Sequence, residues 1–341
     1  MTTIDDLTDL DAATGNPFFS GVATIDVGDS RVYERAGGFA NRAHRVPVTP
    51  VTRLAIASGS KIFTALAVLR LVEEGTLALD QPVRTILGSD LPLIDDGVTI
   101  EHLLSHTSGI GDYIDESAGG EIDDYIMTLP VHTLTTAEAF LPMLDGREEV
   151  SAPGEEFAYN NSGYVVLAVV IERVTGETFH DVVRRLVLDP AGLSLTDYDR
   201  SDYLTGDVAL GYLDEDGGHR TNVLHLPVLG NGDGGAYTTA GDLHRFWRAL
   251  VRGDIVSPET YRLLVAPRHH DEDEGKRFGL AVWLHEVADV LVLEGYDAGV
   301  SFVSSHDPVA DATYTVIANS SEGAWPVARA MRGVLEARLG I

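Results

Sequence analysis

Leu54-Ala55-Ile56-Ala57-Ser58-Gly59-Ser60-Lys61-Ile62-Phe63-Thr64-Ala65-Leu66-Ala67 is the stretch on which the fold turns. A short apolar run enters Ser-x-x-Lys, and apolar residues then recur at Ile62, Phe63, Leu66, Leu69 and Val72, the spacing of an amphipathic helix. Ser58 and Lys61 are thereby placed about one turn apart at the helix start. Unpaired N–H groups and the positive dipole end stabilise an oxyanion there, and a neutral lysine three residues on can take the serine proton. Ser58 is the candidate nucleophile and Lys61 its base. The same serine has a plain use as a helix N-cap, and Ser-x-x-Lys also occurs by chance. Composition favours the chemical use. Of 24 basic residues only Lys61 and Lys276 are lysines, and the other 22 are arginine. Arginine keeps its proton in a protein, whereas a desolvated lysine can release it, so a lysine kept at position 61 suits a base.

Upstream of this stretch, Gly21–Asp26 and Arg31–Ala36 alternate as strands around the turn Val27-Gly28-Asp29-Ser30 and read as a hairpin. Downstream, residues 84–220 are mostly helical in pattern, including Thr99–His106, Thr135–Leu144 and Val165–Val174. Near the end, Phe278–Glu286, Val290–Leu293, Val300–Ser305 and Thr313–Asn319 read as four strands and Ala324–Leu339 as a closing helix. Strands at both ends require a shared sheet. The expected fold is therefore α/β of the α+β type, an antiparallel sheet flanked by helices. Residues 1–83 and 221–341 would form the sheet domain and 84–220 an inserted helical domain, with a site in the cleft between them.

Two tempting motifs carry less. His102 and His106 have metal-ligand spacing but lack the flanking glutamate of a metalloprotease helix, so no metal is expected. Gly230-Asn231-Gly232-Asp233-Gly234-Gly235 is glycine-rich without the Gly-Lys-Ser/Thr ending of a phosphate loop. No cofactor is expected either. Absence of cysteine removes disulfides and thiolate metal sites. The formal charge of −29 opposes binding to nucleic acid or an anionic membrane. Acidic clusters such as Asp271–Glu274 suggest a salt-adapted source. Residues 1–7 show neither the basic nor the apolar region of an export signal, so a cytoplasmic protein is expected.

Taken together, Ser58-Gly59-Ser60-Lys61, Tyr159-Asn160-Asn161, His102–Gly109, Pro153-Gly154-Glu155 and Gly234–Ala240 resemble the serine β-lactamase and penicillin-binding-protein superfamily, nearest to class C β-lactamases and family VIII carboxylesterases. The resemblance implies acylation of Ser58 by a carbonyl substrate, with Lys61 and Tyr159 moving protons. Asn161 would orient the lysine or the substrate carbonyl, although it also suits a turn or helix cap. The family's Lys/His-x-Gly element aligns with Leu293-Glu294-Gly295, so the charged side chain is replaced by Leu293. Gly295 remains, and the N–H groups of Tyr296 and Ser58 would form an oxyanion hole. Without a cation at position 293 the usual anchor for a substrate carboxylate is missing. The expected substrate is a small neutral ester, or less readily an amide or lactone. A D-amino-acid peptidase or amidase or a weak β-lactamase would need a replacement cation from Arg268, His269 or His270. A non-hydrolytic acyl-ligand binder is the remaining alternative.

Overall fold

The computed structural model describes residues 8–15, 19–114, 119, 122–213, 217–271 and 275–339. The segment read for an export signal and positions 272–274 of the acidic cluster lie outside them. Eight strands form one antiparallel sheet: β1 (Gly21–Val27), β2 (Ser30–Gly37), β3 (His269–Asp271), β4 (Lys276–Phe278), β5 (Trp283–His285), β6 (Leu291–Asp297), β7 (Val300–Asp307) and β8 (Ala312–Ala318). Their order is β2-β1-β8-β7-β6-β5-β4-β3. Strands from both chain ends pair as its second and third members, with Gly21 opposite Ala318 and Val27 opposite Ala312.

The sequence anticipates most of this sheet. One long strand over Phe278–Glu286 is instead two short ones, because the backbone turns at Gly279–Val282 and Ala281 takes a positive φ of 61°. β3 escapes sequence reading, since three residues reading His-His-Asp carry no apolar alternation.

Side chains alternate between two apolar layers. On one face, Ala23, Ile25, Val303 and Val316 pack with Leu10 of α1 (Thr8–Thr14) and Val327 and Met331 of α6 (Ala324–Leu339). On the other, Val22, Leu291, Leu293, Phe302 and Ile317 join the helical body in one continuous core. That body centres on α2 (Lys61–Glu73) and α4 (Asn161–Thr175). Helix α2 departs from the amphipathic expectation, because Lys61–Leu69 and Leu71 are all buried. It is hydrophobic nearly all round since it is enclosed, by α4, by residues 179–188 and by Phe246 of α5 (Ala240–Arg252), whose ring stands edge-on to Phe63 at 5.4 Å. The helix expected over Thr135–Leu144 is a 3₁₀ turn, Ala137–Phe140, followed by one α-turn, Leu141–Leu144; Pro142 suits the start of that turn but not the interior of a longer helix. Around the other histidine pair, α3 (Ile100–Leu104) begins at a capping box in which Thr99 and His102 exchange hydrogen bonds.

Candidate active site

Ser58 sits in a 3₁₀ turn, Ala57–Ser60, that leads directly into α2. The turn is bound on both sides. Leu54–Ala55 pairs with Tyr237–Thr238, and the Ser60 hydroxyl donates to Ala57 O at 2.7 Å while accepting from Ala236 N at 3.0 Å. These contacts hold Ala57 at a φ of +45°, a conformation costing about 1–2 kcal/mol in a non-glycine residue. The backbone thus turns sharply just before Ser58. Gly59 is obligatory beside it: a Cβ there would lie 2.3 Å from the Phe302 ring.

Lys61 Nζ is the hub. It is 2.9 Å from Ser58 Oγ, 2.8 Å from Asn161 Oδ1 and 2.6 Å from Asp233 O, on a side chain belonging to a residue only 3% exposed. Two of these partners can only accept, so a neutral amine would donate to both and turn its lone pair to the Ser58 hydroxyl. The pattern is that of a base set to receive the serine proton.

Asn161 owes this role to its neighbour. Asn160, not Asn161, caps α4, its Oδ1 accepting from Gly163 N at 2.7 Å. Asn161 is the first helical residue, and its amide is left to face Lys61. Behind it stands Asp112, which sequence reading missed. Its carboxylate accepts from Asn161 N at 2.7 Å, Ser162 N at 2.8 Å and Ser162 Oγ at 3.0 Å, fixing the helix start. Burial raises the Asp112 carboxyl above its ordinary value, while those N–H groups and the Lys61 charge pull it down. Tyr113 and Asp233 were missed as well. The Tyr113 hydroxyl donates to Asp233 Oδ2, which fastens the glycine-rich loop that offers its carbonyl to Lys61. Burial and the Asp233 charge push the Tyr113 hydroxyl far up, so it stays protonated as a donor.

Tyr159 is half-buried, with its ring centroid 5.0 Å from Lys61 Nζ and 4.4 Å from that of His106. His106 accepts from Asn160 N through Nδ1 at 3.0 Å. Burial, then the nearby Lys61 charge, lowers its proton affinity well below the usual histidine range, so it is a neutral structural ring. Among the described residues no cluster of histidine and acidic side chains has the arrangement of a metal site.

On the sheet side, only Leu291 and Val292 of β6 pair with β5, so the outer edge of residues 293–297 passes the Ser58 turn. Gly295 permits the approach. A Cβ on it would fall 2.1 Å from Ile56 O and 3.1 Å from Gly59 N. Leu293 is 3% exposed within the core and lies outside the cavity lining. The cavity, about 70 Å³, contains Ser58, Asn161, Tyr296 and Asp233 in its wall, with apolar Ile122, Met127 and Leu226. The expected substitute cations lie outside the cavity lining: Arg268 pairs with Glu101 at 3.0 Å, His269 stacks on Phe157 at 4.1 Å, and His270 is exposed.

Residues 11–338 match the family model described as beta-lactamase. The chain belongs to the beta-lactamase family. Among its relatives, a penicillin-binding protein of Bacillus subtilis (strain 168) is 30% identical over 76% of this chain and 58% of its own length. Esterase EstB of Burkholderia gladioli is 38% identical over 48% of this chain and 42% of its own. This beta-lactamase-family chain therefore spans about half the length of these two relatives. A solved penicillin-binding protein from Bacillus halodurans superposes with a TM-score of 0.89 at 38% identity, covering 95% of this chain and 99% of that one. The family is one of serine hydrolases, and the Ser58–Lys61–Asn161 cluster is the candidate site in this chain.

Proposed function

We propose that the chain hydrolyses a small ester through an acyl-Ser58 intermediate. The observation that carries this is the 2.9 Å contact between Lys61 Nζ and Ser58 Oγ, with Asn161 Oδ1 and Asp233 O, also bonded to Nζ, able only to accept. In the acylation step the Ser58 proton passes to neutral Lys61 as Oγ attacks the carbonyl carbon. The carbonyl oxygen becomes an oxyanion facing the N–H groups of Ser58 and Tyr296, each contributing about 3 kcal/mol to the transition state. Tyr159 relays a proton to the alcohol, which departs as the ester C–O bond breaks. Water then attacks the acyl-enzyme, and its proton returns by the same groups to Ser58.

Ester is favoured over a carboxylate-bearing lactam or peptide because Leu293 is buried and apolar and Arg268, His269 and His270 do not line the cavity. The esterase name of the Burkholderia relative supports the same choice. The acidic surface fits a small-molecule partner and not nucleic acid or an anionic membrane. Among the described residues no helix is long and apolar enough to cross a membrane. A panel of p-nitrophenyl esters, a D-amino-acid amide and nitrocefin, each run against Ser58→Ala, tests the proposal. Ester turnover that vanishes in Ser58→Ala supports it; turnover surviving that substitution, or turnover of nitrocefin above all esters, refutes it.

A further inference from the structure

The glycine-rich loop that meets Lys61 is held by donors to which the catalytic steps give no part. Asn231 and Gly234 exchange backbone hydrogen bonds, Asn231 N to Gly234 O at 2.9 Å and Gly234 N to Asn231 O at 3.2 Å, so Gly232 and Asp233 form the tip of a tight turn. Glycines on both sides of Asp233 let its flanking peptides rotate at little cost. The direction of the Asp233 carbonyl therefore has to be fixed from outside the loop. One face of α2 takes both tip carbonyls. Asp233 O accepts from Lys61 Nζ at 2.6 Å and Gly232 O from Thr64 Oγ1 at 2.7 Å, the two donors lying about one helical turn apart. Thr64 and Gly232 are buried, and a Cβ on Gly232 would fall 2.1 Å from Tyr164 O, so the tip is also pressed against α4. At the start of the loop, His180 on the short helix Phe179–Val183 meets Gly230 O through Nε2 at 2.8 Å. Burial lowers the proton affinity of that ring, so it is neutral, and because a carbonyl only accepts, its hydrogen sits on Nε2. The Asn231 amide contributes nothing to this hold, being buried with neither end hydrogen-bonded among the described residues.

We infer that Thr64 is a positioning residue for Lys61: its hydroxyl, with the His180 imidazole behind it, holds the loop so that the Asp233 carbonyl stays on Nζ. The Tyr113 bond to the Asp233 carboxylate ties the side chain but does not by itself direct the peptide. With the carbonyl in place, neutral Lys61 donates to Asn161 Oδ1 and Asp233 O and keeps its lone pair toward Ser58. An acceptor at 2.6 Å also favours the ammonium over the amine. Loosening the loop should therefore leave fewer amines correctly turned and let Lys61 lose its proton at lower pH. The other titratable groups around Lys61, namely Asp112, His106, Tyr159 and Tyr164, are common to every variant compared. Burial keeps the Tyr198 hydroxyl, which borders Thr64, protonated throughout. The inference rests on the acyl-Ser58 reading for its catalytic consequence alone, since the hold of the loop on Lys61 can be measured without turnover.

Lys61 and Lys276 are the only lysines, so protein isotope-labelled at lysine Cε gives two NMR signals to follow against pH, and Lys61→Met identifies that of Lys61. Thr64→Val, of equal shape without the hydroxyl, should move the Lys61 midpoint down by about one pH unit, leave Lys276 in place and slow fluorophosphonate labelling of Ser58 about tenfold. Thr64→Ser, which keeps the donor, should restore both to near the values of the unaltered chain. Should Thr64→Val not fold, His180→Phe set against His180→Gln, which keeps a donor of similar reach, reads the Gly230 anchor in the same way and should shift in the same direction. An unchanged Lys61 midpoint and labelling rate in Thr64→Val, or a Thr64→Ser protein no better than Thr64→Val, overturns the inference. An equal shift of the Lys276 signal also overturns it, since that would mark general loosening. If Ser58 is unlabelled even in the unaltered chain, the acyl-Ser58 reading fails, and the Lys61 titration still decides whether Thr64 holds the loop.

Discussion

Replacing Lys61 by methionine separates the base from everything else Lys61 does. The substitution keeps an unbranched chain of similar length in a residue that is 3% exposed, so the packing of α2 is nearly conserved. What is removed is Nζ with its contacts to Ser58 Oγ, Asn161 Oδ1 and Asp233 O. Withdrawing this donor from Asn161 Oδ1 and Asp233 O costs about 1–3 kcal/mol each at most, but the chain no longer buries an amine, so the net loss of stability should be only about 1–3 kcal/mol. Loss of a positioned base costs about 10²–10⁴ in rate, or about 3–5 kcal/mol in barrier. The assay is kcat/KM on a p-nitrophenyl ester beside a urea unfolding curve for the same preparation. A folded Lys61→Met protein within about threefold of the parent rate would refute the assignment and move the base to Tyr159 or elsewhere.

Gly295→Ala should lower kcat/KM and the rate of Ser58 labelling by about 10²-fold, because a Cβ 2.1 Å from Ile56 O must push β6 away from the Ser58 turn; labelling at the parent rate would contradict that. His306, held down to about 4 by burial, binds no proton between that value and 6.5 while the unfolded chain does. Its contribution to stability is therefore complete above pH 6.5 and falls by up to about 1.4 kcal/mol per unit as pH drops, and buried His106 and His180 act in the same direction. Urea midpoints at pH 7 and pH 5 should differ less in His306→Asn; an unchanged pH slope would refute the assignment. Self-repulsion from a charge of −29 should make Tm rise by several degrees between low salt and about 1 M KCl, and full stability and activity without added salt would exclude salt adaptation.

Legibility in the sequence followed side-chain pattern. The strands around Ile25, Val303 and Val316 announced themselves by alternation, and the pairing of the two chain ends followed from strands at both. Ser58, Lys61 and Asn161 could be brought together because each carries its chemistry in its side chain. The third neighbour of Lys61 could not, since Asp233 contributes a backbone carbonyl, which every residue has. Asp112 and Tyr113 were hidden among ordinary loop residues, and only the folded contacts with the start of α4 and with Asp233 reveal them. The signal that existed was partial: an Asp-Tyr pair shortly after the His-Thr-Ser-Gly turn, within an otherwise irregular segment. In sequence Asn161 suits both capping a helix and orienting a lysine, and the structure divides those tasks between Asn160 and Asn161.

The central claim is that Ser58 is a nucleophile activated by Lys61, and covalent labelling tests it most directly. A fluorophosphonate probe added to the folded protein, followed by peptide mass mapping, should place one adduct on Ser58, with the rate falling by about 10²-fold or more in Lys61→Met. A folded chain that remains unlabelled, or one labelled at another residue, would contradict the account.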